Sequence, residues 1–157
     1  MRGPLDVGRI CRIATGIEQN GERLYRALSE AFASQEDLKE LFARLADEEL
    51  AHANDFKRLA GAESECPADP DGGFSVLDAY ARIFSRFRLS DELAMIGEGI
   101  GRAVDFAIRR EMDSIFFYSE AGAGAPGPLG AILARILEEE RRHFREMNEL
   151  RSRLSED

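Results

Sequence analysis

A glutamate and a histidine stand where core leucines belong in the last third of this chain, and few folds tolerate that. Leu133, Ile136, Leu137, Glu140, His143, Phe144, Met147 and Leu150 fall on one face of a helix with 3.6 residues per turn. Burying an unpaired charge costs several kcal/mol or more, so groups in such places are paired, neutralised or bound to a metal. The chain holds only two histidines, and the other repeats the arrangement as Glu49-Leu50-Ala51-His52. Two Glu-x-x-His motifs on two amphipathic helices are half of what a dinuclear metal site needs.

The rest of the pattern reads as helices. A first helix is predicted over about 7–32, with Ile10, Ala14, Ile17, Gly21, Leu24 and Leu28 stepping by three and four. A second starts at Ser34, with Glu36 and Asp37 in its first turn, and runs to about Leu59. It carries Leu38, Leu41, Phe42, Leu45, Glu49, His52 and Phe56 on one face. Residues 61–73, rich in Gly, Pro, Asp and Ser, have loop chemistry. Phe74 to Phe87 is read as a short helix that caps the bundle or meets a partner subunit. A third long helix covers about 102–120, with Val104, Ile108, Glu111, Ile115 and Tyr118 along it, and the Gly- and Pro-rich stretch 121–128 ends it. The last helix continues to about Leu154. No strand pattern of period two occurs. Two helical hairpins joined by a long connection predict an all-α four-helix bundle with one crossover, spanning about 61–90.

The hairpins repeat each other. Glu18 is followed by Gly21 and Tyr25, and Glu111 by Ser114 and Tyr118. Thirty-one residues separate Glu18 from Glu49, and twenty-nine separate Glu111 from Glu140. One Glu from each of two helices, with Glu-x-x-His from each of the others, is the ligand recipe of a carboxylate-bridged dimetal centre. Four carboxylates with two neutral imidazoles cancel the charge of two divalent cations, and this oxygen and nitrogen set suits iron or manganese. Glu49 and Glu140 are expected to bridge, His52 and His143 each to cap one metal, and Glu18 and Glu111 to be terminal ligands. Tyr25 and Tyr118 are candidates to hold ligand carboxylates from outside. Gly21 and Ser114 are expected to leave room for a small oxidant. Glu48, Glu138 and Glu139 read as surface charges, Glu22 as a solvated or ion-paired residue, and Cys11 as a buried inert thiol.

Glu18 with Tyr25, Glu49 with His52, Glu111 with Tyr118 and Glu140 with His143 resemble the rubrerythrin-type diiron domain of the ferritin-like superfamily. The resemblance covers the chain as one domain, residues 1–157. It implies two iron ions, with manganese or a mixed pair using the same ligands, and oxidation of Fe(II) by hydrogen peroxide or dioxygen. The chain departs from rubrerythrin proper in two ways. It lacks the rubredoxin-like module that holds iron with four cysteines, so a separate electron donor protein, such as a rubredoxin, is expected. Ser114 stands where typical rubrerythrins offer an additional Glu, leaving a four-Glu, two-His set closer to ferritins.

Composition narrows the function classes. A net charge of −9 without a basic cluster argues against a nucleic-acid partner. No apolar run has the length of a signal peptide or a membrane span. Cys11 and Cys66 form no CxxC pair, and a cytoplasmic location is expected. The leading expectation is a diiron peroxidase or ferroxidase serving oxidative-stress protection or iron homeostasis, assembled as a homodimer. Iron storage and a non-catalytic, metal-stabilised bundle are the alternatives.

Overall fold

The computed structural model describes residues 7–62, 79, 94–125 and 127–155. The short helix expected over 74–87, the loop up to Gly73 and Cys66 lie outside those residues, Gly61, Ala62 and Ala79 excepted. Among the described residues all regular structure is helical, and four long helices carry it: α1 (Val7–Ala31), α2 (Glu36–Ala62), α3 (Ile100–Gly122) and α4 (Gly127–Arg153). None of them is long and apolar enough to cross a membrane.

The turn between α1 and α2 consumes residues 32–35, closed by Phe32 N–H to Leu28 O at 3.0 Å and Gln35 N–H to Phe32 O at 3.0 Å. The second helix therefore starts at Glu36, two residues past Ser34, with Glu36 and Asp37 in the turn where the helix dipole favours negative charge. Gly99, at a positive φ of 110° that L side chains rarely adopt, leads into α3. Pro128 sits in the first turn of α4, where a missing N–H costs nothing.

Short connections make α1 and α2 antiparallel neighbours, and likewise α3 and α4. The buried face of α3 is rotated by about one position from the expected one. Ala103, Val104, Ala107, Glu111, Ser114, Phe117 and Tyr118 are buried, whereas Ile108 and Ile115 are only partly so. Two apolar stripes lie side by side on this helix, and facing helices decide which one turns inward.

The apolar interior falls into two clusters. One joins Ile10, Ala14 and Ile17 to Phe56, Phe117, Leu133 and Ile136. The other joins Leu24, Leu28, Phe42, Leu45, Val104, Ala107, Met147 and Leu150. The hairpin geometry places the first at one end of the bundle and the second at the other. Between them runs a belt of buried polar side chains. Cys11 is fully buried in the first cluster, as a thiol packed like a small hydrophobe.

Candidate metal centre

Each of the four helices contributes to the belt at its mid-length. Glu18, Glu49, His52, Glu111, Glu140 and His143 are all at most 3% exposed. The two imidazoles lie with ring centroids 6.0 Å apart and planes 19° from parallel. Two groups of four form around them: Glu18, Glu49, His52 and Glu140, and Glu49, Glu111, Glu140 and His143. Within each group, one donor atom per residue lies within 4.8 Å of every other. Glu49 and Glu140 belong to both groups, which is the topology expected of bridging carboxylates.

The imidazoles aim the same atom inward. His52 Nδ1 lies 3.1 Å from Glu18 Oε2 and 3.3 Å from Glu140 Oε1. His143 Nδ1 lies 3.2 Å from Glu49 Oε1 and 3.9 Å from Glu111 Oε2. Three buried atoms of this cluster, Glu111 Oε2, Glu140 Oε1 and His143 Nδ1, have no hydrogen-bond partner. Buried polar atoms are rarely orphaned, and three converging ones of this kind suit a cation. The residues present thus fit a pair of metal ions, by donor type as well as by geometry.

Two of the belt's carboxylates are held from behind. Tyr25 of α1 donates its hydroxyl to Glu111 Oε1 of α3, and Tyr118 of α3 donates to Glu18 Oε1 of α1. Each ring stacks on a phenylalanine of α2, Tyr25 on Phe42 at 6.3 Å and Tyr118 on Phe56 at 5.8 Å. The hydroxyl takes one oxygen of each carboxylate and leaves the other for the centre.

Two residues read from sequence as surface charges prove otherwise. Glu48 Oε2 lies 2.8 Å from His143 Nε2, and Glu139 Oε2 lies 2.6 Å from His52 Nε2. Each outer carboxylate precedes a core glutamate in sequence, yet serves the histidine of the other hairpin. Accepting at Nε2, it turns Nδ1 toward the cluster, an arrangement that raises ligand basicity. Partial burial would raise the Glu48 pKa, but the bond to His143 and the nearby charges of His143, Arg142 and Arg44 bring it down to about 2. Glu138 is a surface charge as expected, paired with Arg141, and Glu22 is ion-paired with Arg26 at 3.7 Å.

Gly21 also has a different role from the expected one. The space beside it is not open, because a Cβ built there would lie 2.9 Å from Glu49 Oε2 and 3.0 Å from its Cδ. The missing side chain accommodates the shared carboxylate itself. Gly21→Ala should therefore split two properties. Helix propensity favours Ala by about 1 kcal/mol, but displacing the buried Glu49 offsets that gain, so metal-free stability should change little, while metal affinity falls about tenfold, in the range seen when groups supporting a ligand are disturbed. Thermal melts and metal titration check the two separately; equal affinity would show that Glu49 does not need that space. Ser114, at the matching place on α3, is buried.

Without metal the belt is electrostatically strained. Burial, then the charge of Glu18, pushes Glu49 up to about 8 against the opposing pull of His143. Burial, then Glu49, raises Glu111 to about 7, and Glu140 is driven up by burial and its three carboxylate neighbours. For His143 burial lowers the pKa, but the bond to Glu48 and the nearby carboxylates of Glu49, Glu111 and Glu140 outweigh it and hold it at about 11; His52, balanced the same way by Glu18 and Glu139, stands at about 9. The metal-free cluster therefore carries protons near neutral pH, which entering cations must displace.

The rubrerythrin family model matches residues 10–69, a stretch holding most of α1 and all of α2. The structure resembles the crystal structure of a protein from Thermotoga maritima described as a ferritin-like diiron-carboxylate protein. That likeness has a TM-score of 0.66 and 28% sequence identity over 93% of this chain and 94% of the other. No curated protein sequence matches. The bundle is ferritin-like and all-α, and its buried Glu/His cluster fits a dimetal site.

Proposed function

We propose that this chain is a non-haem diiron oxidoreductase that oxidises Fe(II) with hydrogen peroxide or dioxygen. Glu18, Glu49, His52, Glu111, Glu140 and His143 would hold the two irons. One observation carries the reading: two four-residue donor groups, each with one histidine, overlap through Glu49 and Glu140. Two cations so placed repel, and the two shared carboxylates lie where negative charge offsets that repulsion most.

Bound iron would supply the electrons, one from each of two ferrous ions, for the reduction of one hydrogen peroxide with two protons to two waters. The protein's residues supply the setting. Apolar clusters at either end of the belt exclude bulk water, which strengthens every charge interaction within it. Tyr25 and Tyr118 fix the terminal carboxylates, and Glu48 and Glu139 fix the imidazoles. Such preorganisation keeps the ligand set in place while metal charge changes. Electrons would return from a donor protein such as a rubredoxin, to a chain assembled as a homodimer.

Anaerobic loading with two equivalents of Fe(II), followed by one of hydrogen peroxide, tests the reading. The near-ultraviolet charge-transfer absorption of a carboxylate-bridged diferric pair should develop as peroxide is consumed. Protein that holds two irons but develops no such absorption, with peroxide or with dioxygen, would reject the activity.

A further inference from the structure

The two histidine motifs repeat over a longer span than the ligands require. Arg44, Glu48, Glu49, His52 and Asp55 on α2 match Arg135, Glu139, Glu140, His143 and Glu146 on α4, in identical spacing. The outermost members of this repeat are bonded in the structure. Arg44 Nη1 donates to Glu48 at 3.2 Å, and its Nη2 reaches across to Glu146 of α4. Arg135 Nη1 donates to Glu139 at 2.9 Å, and its Nη2 reaches across to Asp55 of α2. Each guanidinium thus spans both helices and grips the carboxylate that touches the opposite histidine.

We propose that Arg44 and Arg135 are positioning residues of the two metal half-sites, each acting across the bundle: Arg44 through Glu48 on His143, and Arg135 through Glu139 on His52. The inference rests on the dimetal reading above and assigns a role to residues outside the ligand set. A planar guanidinium with several donors in a fixed fork holds two carboxylates in one geometry, which a point charge cannot do. Oriented in this way, Glu48 and Glu139 keep each ring turned with Nδ1 toward the cluster.

The two relays are not equal. Arg142 Nη2 also donates to Glu48 Oε2, at 2.9 Å. The matching position before His52 is Ala51. Among the described residues Arg135 is the one guanidinium gripping Glu139, whereas Glu48 has two. Loss of Arg135 should therefore be felt more than loss of Arg44, although both side chains are similarly exposed, at 48% and 42%. Exposed ion pairs contribute little to stability, so a merely structural role would make the two substitutions alike.

Co(II) titration of the full chain, followed by visible absorption, tests this. Wild type should bind two ions. Arg135→Met should weaken one of them about tenfold, the lower end of the cost of disturbing groups behind a ligand, and leave the other within about twofold. Arg44→Met should cost less than about threefold until Arg142→Met is added, which should bring the loss to about tenfold. In a His52→Ala background, Arg135→Met should have no further effect, because the group it acts through is gone. Circular dichroism of the metal-free variants checks folding. Should Arg135→Met not fold, Arg135→Lys takes its place, with a loss of about threefold confined to one ion. Two ions bound by Arg135→Met, or by the Lys variant if that is used, with wild-type affinity would overturn the relay and leave the dimetal reading standing, as would equal losses in the Arg44 and Arg135 variants. A wild type that binds no pair of ions would overturn both.

Discussion

Glu49→Gln should leave the chain with less than one metal ion, whereas His52→Ala should leave it with about one. The difference follows from membership: Glu49 belongs to both donor groups and His52 to one. Glutamine keeps the volume and one oxygen but removes a charge that both cations share. The four carboxylates then become three against two divalent ions in a site with little water to compensate. His52→Ala removes one donor from one group and leaves Glu49, Glu111, Glu140 and His143 intact. A second effect has the opposite sign. Burial and neighbouring carboxylates make Glu49 a destabilising group when no metal is present, so the neutral amide should raise the metal-free thermal midpoint. The gain should be a few kcal/mol at most, since each pKa unit of displacement corresponds to about 1.4 kcal/mol. Metal analysis after dialysis and calorimetry of chelated protein read the two effects independently. Two ions retained in Glu49→Gln would remove Glu49 from the centre.

Chelation should lower the melting temperature by about 15–30 °C at pH 8 if each site is filled at about a thousand times its dissociation constant. Two such sites contribute about 8 kcal/mol by mass action, and each kcal/mol moves the midpoint of a chain this size by about 2–4 °C. The loss should shrink as pH falls toward 6, for two reasons that act together. Glu49 and Glu111 have folded pKa values of about 8 and 7, above their unfolded value, so the folded metal-free state binds more protons and loses stability as pH rises from about 5 to 8. His52 and His143, raised to about 9 and 11, work the same way: their contribution is complete below their unfolded pKa and lost as pH rises through the folded one. Cations compete with those same protons, so metal affinity strengthens over the same interval. Metal-free protein should be more stable at pH 6 than at pH 8, and metal-loaded protein should gain most at pH 8. Melts at both pH values, with and without chelator, measure this directly. A chelation effect independent of pH would mean that these groups do not exchange protons for metal.

The six core residues were legible because a charged side chain in an apolar stripe is a contradiction that a sequence displays openly. Glu140 and His143 break the run from Leu133 to Leu150, and Glu18 with Tyr25 gains meaning when Glu111 with Tyr118 repeats it. Helix spacing alone ties those positions together. Glu48 and Glu139 were not legible in that way. On a helix, neighbours in sequence point about 100° apart, and a glutamate beside a better-placed one looks solvated. What makes Glu48 matter is His143, ninety-five residues away on another helix. The repeat of Arg, Glu-Glu, His and acid was in plain sight but acquires significance only once α2 and α4 are neighbours. Gly21 is similar: an absent side chain says nothing until the facing helix places Glu49 against it. On α3, Ile108 and Ile115 formed as good a stripe as Ala107, Ser114 and Phe117, and only packing chose between them.

The centre itself is most directly tested by X-ray diffraction from metal-loaded crystals, recorded on both sides of the iron absorption edge. The account predicts two anomalous peaks per chain, one beside His52 and Glu18 and one beside His143 and Glu111, with Glu49 and Glu140 reaching both. A single peak, or iron bound away from this belt while the two histidines remain bonded only to carboxylates, would contradict it.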